Sequence, residues 1–278
     1  METEIGRSEG AGGVSRGMKF QVPGSRFQVP KSLRTELLFI AAVLWVSLLC
    51  LEFGCSRNTA SDPNPPTNTV FRPTFQTVAT SFSAGTAFVC EFPESGQHLL
   101  LTAHHLFGPD GGLESETDWK QLNQVVTLTV AASLHDPKVR LISKQALLIP
   151  GAHALSDKGL NNDIAAFKLD PDSSRPSLKL AMILPKVGER VWLFCQQAGK
   201  DNVELVSATV TRSDFKELDY KIERKDFELR ATSGAPVLNS EGLVVAVNIG
   251  GFQNGSRLIG CGNPSTSVIA HLQQALKQ

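Results

Sequence analysis

The feature that most limits what this chain can become is a succession of short apolar runs, each closed by Gly, Pro, Asn or Asp, across residues 85–250. "GTAFVCEF", "HLLLTA", "QVVTLTVAASL", "VRLISKQALLI", "IAAFKLD", "ERVWLFCQQ", "VELVSATVTRS", "YKIERKDFEL", "APVLN" and "GLVVAVNIG" read as strands, because short apolar runs bounded by turn formers cannot complete a helical face. "YKIERKDFEL" alternates apolar and charged residues, which predicts one strand with a wet face. A single helix is predicted, at "PSTSVIAHLQQALK", where Pro and Ser open the segment and Val268, Leu272 and Leu276 recur at helical spacing. Many short strands followed by one closing helix predict an all-β barrel or sandwich.

The chain has 278 residues, 41% hydrophobic and 19% charged, with a formal net charge of zero, enough for one ordinary core with appendages. Lys and Arg form no clustered stripe, which argues against nucleic acid as a partner. Its five cysteines include no CxxC or metal-finger spacing. Cys90, Cys195 and Cys261 fall in apolar runs and read as small buried hydrophobes.

Residues 1–36 contain Gly, Ser and Pro and the short duplication "FQVPGSRFQVP", and read as unstructured. Residues 37–55, "LLFIAAVLWVSLLCLEFGC", follow Lys31 and Arg34 in the basic-then-apolar order of an export signal. The apolar stretch ends at Glu52, short of the roughly 20 residues that span a bilayer, which favours a signal over a permanent membrane anchor. Its end, Gly54, Cys55 and Ser56, resembles a bacterial lipoprotein cleavage site. That resemblance implies lipid attachment at Cys55 and a place in the cell envelope or periplasm. Residues 56–70 are rich in Pro, Asn and Thr and read as a linker. Residues 71–278 are one domain's worth of chain.

Within that domain, Ser233 sits in the small-residue turn "ATSGAP". A serine hydroxyl becomes a nucleophile only when a base takes its proton, and the base works best when a carboxylate fixes its tautomer. Upstream, "LLLTAHHLFG" ends a strand in two histidines, and "NNDIAAFKLD" opens another at Asp163. The order His, Asp, Ser is that of chymotrypsin-like enzymes, whereas α/β-hydrolases and subtilisins use other orders.

"LTAHHL" resembles the "LTAAHC" segment of trypsin-like serine peptidases, "NDIAAFKL" their "DIALLKL", and "TSGAPVLNSEGLVVAV" their "DSGGPVFNxxGxVVGV". "VGERVWLFCQQAGKDNVELVSATVT" and "IGCGNPSTSVIAHLQQAL" are similar to segments of bacterial HtrA-type proteases, in the protease domain alone and with no residues left for a PDZ domain. The resemblance implies two six-stranded antiparallel β-barrels with a C-terminal helix, and an exported serine endopeptidase acting on polypeptides without a cofactor. It implies Ser233 as nucleophile, Asp163 as orienting acid and His105 as general base. His105 is chosen over His104 because the family motif leaves two residues between Thr and the catalytic His. The implied oxyanion hole is the N–H of Ser233 and of Ala231, where the family has Gly. A positive φ there costs a non-Gly residue about 1–2 kcal/mol. Thr232 and Ala235 replace the usual Asp or Asn and Gly on either side of the serine. For substrate binding, the resemblance implies Phe227 at the base of the primary pocket and Asn248, Ile249 and Gly250 along its wall. With no carboxylate there, a small or aliphatic side chain is expected rather than Lys or Arg.

Ala231 also supports a second reading, a catalytically impaired relative that binds peptides or proteins in the same cleft. An α/β-hydrolase reading with Glu241 and His271 fails because Ala231 and Ala235 occupy both Gly positions of a G-x-S-x-G elbow. A metal site at His98, His104 and His105 lacks a carboxylate or Cys at a useful spacing, so no metal is expected.

Overall fold

The computed structural model describes residues 61–278 apart from 93, 155–158 and 173. The described residues hold fifteen strands in two sheets and a C-terminal helix, Ser265–Leu276. The first sheet takes β1 (Val70–Thr77), β2 (Ser81–Ser83), β3 (Ala87–Glu91), β4 (His98–Thr102), β5 (Val126–Ser133), β6 (Arg140–Ser143), β7 (Ala146–Leu147), β8 (Ala165–Lys168) and β9 (Leu178–Lys179). Their order is β6-β5-β1-β3-β4-β8-β7, with β2 on β1 and β9 parallel to β3. The second comprises β10 (Arg190–Cys195), β11 (Glu204–Ser213), β12 (Leu218–Ile222), β13 (Pro236–Leu238), β14 (Val244–Asn254) and β15 (Arg257–Pro264), closed in the order β10-β11-β12-β15-β14-β13.

The double-barrel expectation is met by one closed barrel and one curled open sheet. In the open sheet β6 and β7 are separated only by Lys144 and Gln145, and the corner is tied by Ser143 Oγ, which donates to the Lys168 carbonyl at 2.7 Å. Three expected runs are cut differently. "QVVTLTVAASL" opens in a short helix, Leu122–Val125, and becomes strand only at Val126. "VRLISKQALLI" divides into β6 and β7 at that corner, and "YKIERKDFEL" stays a strand only to Ile222. Beyond it Arg224 forms a bidentate pair with Glu204 (2.6 and 2.8 Å) and lies 4.9 Å over the Phe227 ring, folding the chain back onto the barrel.

Three apolar clusters explain the arrangement. Phe75, Phe107 and Phe167 fill the first sheet with ring centroids 4.7–5.8 Å apart, distances at which edge-on and offset rings attract. Val191, Leu193, Val206, Tyr220 and Val237 fill the closed barrel. The third cluster joins the two, with Leu99 and Leu101 from the first sheet, Leu238 and Val247 from the barrel, and Val268 and Leu272 from the helix. That helix thus buries the stripe expected of it, Leu276 packing at its margin. Before β1, Pro63 is buried and Asp62 accepts a hydrogen bond from the Trp192 indole at 3.0 Å. No helix of the described residues is long and apolar enough to cross a membrane.

Candidate active site

The meeting of His105 and Asp163 is a consequence of strand register. β4 and β8 pair antiparallel with Thr102 opposite Ala165, so the residues just beyond their facing ends, 104–105 and 162–163, are brought together. The two histidines are not in a strand, as expected from "LLLTAHH", but in a 3-10 turn, His104–Phe107, whose last residue is rooted in the aromatic core. Asp163 Oδ1 accepts from the His104 N–H at 2.6 Å and the His105 N–H at 3.0 Å, while Oδ2 lies 2.8 Å from His105 Nδ1. One buried carboxylate therefore caps the turn and orients the ring. Its partner on Nδ1 makes the neutral imidazole the tautomer with a free Nε2 lone pair, the form a general base needs.

Burial alone would lower the His105 pKa. The hydrogen bond and charge of Asp163, with Asp110 and Glu116 farther off, outweigh it and raise the value above that of an ordinary histidine. His104 is the opposite case: its ring is buried beside Phe107, both ring nitrogens are without a hydrogen-bond partner among the described residues, and burial lowers its pKa despite Asp163.

Ser233 lies between β12 and β13 in a turn whose side chains alternate. Ala231 and Ser233 are partly exposed, and Thr232 and Gly234 are buried. The Thr232 N–H donates to the Leu229 carbonyl at 3.1 Å and Ala231 has φ +66°, the hydrogen bond and positive third residue that mark a type II turn. Neither the Ala231 N–H nor the Ser233 N–H donates to another group among the described residues. The first sheet grips this turn from outside: the Ala231 carbonyl accepts from Arg72 Nη1 at 3.0 Å and from Thr86 Oγ1 at 2.9 Å, and the Ser233 carbonyl from the Thr86 N–H at 2.7 Å. Arg72 also donates to the Gly85 carbonyl, and Thr102 Oγ1 holds the Thr86 carbonyl at 2.7 Å. Contact is so close that a Cβ on Gly234 would stand 2.1 Å from the Thr86 oxygen, and only glycine fits there. The Ser233 hydroxyl donates to the Ile249 carbonyl at 3.1 Å rather than to His105.

The residues expected around the substrate pocket divide. Ile249 is the extra residue of a bulge between Asn248 and Gly250, which turns its carbonyl toward Ser233. Phe227 is almost wholly buried against the barrel core. Asn248 presents no side chain to a wall: it is fully buried and faces inward, to Thr232 and Tyr220. Among the described residues, the group of three donor side chains close enough to share a metal is Glu217, Asp219 and Cys261, which includes none of His98, His104 and His105. Cys90, Cys195 and Cys261 are free and buried, and burial pushes the Cys195 thiol up to about 12. Residues 37–55, with Cys55, lie outside the described residues. Arg72, Thr86 and Tyr220 escape a reading of the sequence. Tyr220 alone leaves a trace, as the chain's one tyrosine in an apolar strand, where a buried hydroxyl must find a partner.

A model of the trypsin-like peptidase domain matches residues 85–247, more than half the chain. Similar solved structures include a serine endoprotease from Yersinia pestis (13% identity, TM-score 0.52, 76% of this chain and 64% of that one). Others are the protease Anisep from Arthrobacter nicotinovorans (14%, 0.52, 78% and 99%) and the HtrA-type protease AlgW with a decapeptide (13%, 0.50, 76% and 65%). At these identities the likeness is one of fold, and the chain spans about two thirds of the Yersinia protein's length. No curated protein matches the chain.

Proposed function

The chain belongs to the trypsin-like peptidase family, a family of serine endopeptidases, and on that premise we propose that it hydrolyses peptide bonds through His105, Asp163 and Ser233. Ser233 Oγ attacks the scissile carbonyl carbon and its proton passes to His105 Nε2, while Asp163 stabilises the imidazolium through Nδ1. The carbonyl oxygen becomes an oxyanion between the Ala231 and Ser233 N–H groups. Collapse breaks the C–N bond, the proton on His105 goes to the leaving amine, and water repeats the sequence on the acyl-enzyme. For this the hydroxyl leaves the Ile249 carbonyl and turns to His105.

The observation that carries this reading is the positive φ of Ala231. A type I turn would flip the Arg230–Ala231 peptide and point the N–H away from the oxyanion. Ala231 instead holds the arrangement glycine would give, at a cost of about 1–2 kcal/mol. The impaired-relative reading rests on the Ser233 to Ile249 hydrogen bond. A fluorophosphonate probe separates the two. The peptidase labels at Ser233 and loses the label in Ser233→Ala, with peptide hydrolysis falling on the order of 10⁶-fold; a folded wild type that takes no label refutes the proposal.

The resemblance puts Phe227, with no carboxylate, at the base of the primary pocket, and its burial beneath the Arg224 cation supports cleavage after small or aliphatic side chains. The order Lys31 and Arg34, apolar 37–51, then Gly54-Cys55 supports export with lipid on Cys55. Radiolabelled palmitate that enters the wild type and not Cys55→Ala would bear this out, and equal labelling of both would end it.

A further inference from the structure

The side chain expected in the pocket wall has a different task. Asn248 Nδ2 donates to the Thr232 carbonyl at 2.9 Å and to Thr232 Oγ1 at 3.0 Å, and Asn248 Oδ1 accepts from the Tyr220 hydroxyl at 2.5 Å. All three residues are fully buried. The amide's orientation is forced: a carbonyl can only accept, so the group facing Thr232 is the NH₂, which leaves the oxygen for Tyr220 and makes the phenol the donor. Burial raises the Tyr220 pKa well above its usual value, so that proton stays in place at neutral pH. The ring itself sits over Gly260, where a Cβ would come within 2.4 Å of it.

The Thr232 carbonyl belongs to the same peptide unit as the Ser233 N–H. In a planar trans peptide the two point in opposite directions, so whatever fixes the carbonyl aims the N–H. Asn248 pulls the carbonyl into the barrel, assisted by the Ala235 N–H at 2.9 Å, and the Ser233 N–H is driven outward. The Asn248 main chain locks the same turn: its carbonyl accepts from the Gly234 N–H at 2.7 Å and its N–H donates to Ala235 at 2.8 Å.

We propose that Asn248 and Tyr220 are positioning residues that aim one donor of the oxyanion hole, with Asn248 on β14 holding the residue before the nucleophile from inside the barrel. This rests on the peptidase reading of Ser233. The relay is neutral and buried, every bond in it has one possible direction, and it acts on the transition state without touching substrate.

Two variants test it. Asn248→Asp keeps the shape but loses the donor to Thr232. kcat falls about 100–1000-fold, the cost of one oxyanion donor, while KM stays within about threefold. A peptide boronate, which mimics the tetrahedral state, weakens by the same factor. Tyr220→Phe frees the Asn248 amide and gives a smaller loss, about tenfold, again in kcat alone, and it keeps the proposal testable should Asn248→Asp fail to fold. Crystal structures of the wild type and of whichever variant folds provide a readout apart from activity: the Thr232–Ser233 peptide rotates in the variant. A folded variant with wild-type kcat and an unmoved peptide overturns the relay, as does a loss that falls on KM. If the wild type hydrolyses nothing, the peptidase reading fails by itself, and the crystallographic comparison still decides for or against the relay.

Discussion

Beside the first sheet the proposed base is held by a charge. The Asp163 carboxylate accepts two backbone N–H groups and the His105 ring, and no uncharged side chain could accept all three. In the closed barrel the nucleophile turn is held from inside by neutral groups, the Tyr220 hydroxyl and the Asn248 amide. From outside, the turn is held by a charge, Arg72 on the Ala231 carbonyl, together with the neutral Thr86 on the Ala231 and Ser233 carbonyls. The contrast follows from the tasks. In the proposed mechanism the base changes protonation in every turnover and needs a counter-charge, whereas the oxyanion donors must keep one orientation, which uncharged hydrogen bonds do without responding to pH.

The comparison breaks most sharply at Asp163→Asn. The amide can accept from the two N–H groups or face the imidazole, but it cannot do both without turning an NH₂ toward a donor. kcat is expected to fall about 10⁴-fold as the wrong histidine tautomer is selected. Unfolding free energy should drop by about 2–4 kcal/mol, read by denaturant titration. The relay's hydrogen bonds run among Tyr220, Asn248 and Thr232 and do not include this charge. Binding of a peptide that stops short of the scissile bond should therefore stay near wild type, and a parallel collapse of such binding would show that the two halves are not separately held.

Acid titration sharpens the comparison further. In the proposed mechanism His105 acts when neutral, so kcat/KM should fall tenfold per unit below its pKa, which lies above the ordinary 6.5. For stability the two neighbouring histidines have opposite signs. His105, with a raised folded pKa, stabilises the fold fully below the unfolded value and loses that contribution as pH rises through the folded one. His104, with a lowered folded pKa, contributes stability above the unfolded value that is lost as pH falls, since only the unfolded chain takes the proton readily. His104→Leu should then unfold at lower pH than the wild type in an acid titration followed by circular dichroism. An unchanged midpoint would mean that the buried ring is not the acid-labile group.

Arg72→Met is a smaller perturbation at the seam. The Gly85 and Ala231 carbonyls lose a charged donor, although Thr86 Oγ1 still serves Ala231. A stability loss of about 1–3 kcal/mol is expected with a kcat reduction of roughly tenfold. Thr86→Val on the same background should be more than additive, because the two donors share one acceptor.

The two halves differ in how much of them the sequence spells out, for physical reasons. The strand runs, the C-terminal helix and the three short segments around His105, Asp163 and Ser233 are local patterns, and local patterns survive in sequence. β1 is not among the runs read as strands, since Pro73 interrupts its pattern, yet it pairs with β5 from Phe71 to Thr77. Arg72, the residue β1 brings to the nucleophile turn, was hidden with it. The overreach of "YKIERKDFEL" has the reverse cause: alternation continues past Ile222, but an ion pair and a ring contact fold the chain away. Asn248 enters the wall only through the resemblance of "AVNIGG" to the family's wall strand. The bulge between Asn248 and Gly250 sends its side chain to the opposite face, and bulges leave no periodic mark.

The smallest expected effect is at Ala231, and it tests the strain directly. A residue held at φ +66° with a Cβ carries about 1–2 kcal/mol that glycine would not. Glycine in turn gives up about 0.5–1 kcal/mol by making the unfolded chain more flexible. The difference leaves Ala231→Gly more stable by roughly 0.5–1 kcal/mol, a rise of about 1–3 °C in Tm for a domain of this size. At Gly234, three residues along, the opposite change is severe, because a methyl would collide with the Thr86 backbone. Calorimetry of the two variants therefore bears on one question, whether the turn is held against its own preference by the sheet beside it. A lower melting temperature for Ala231→Gly would mean that the turn relaxes to negative φ in solution, and with it the Ala231 N–H would leave the proposed oxyanion hole.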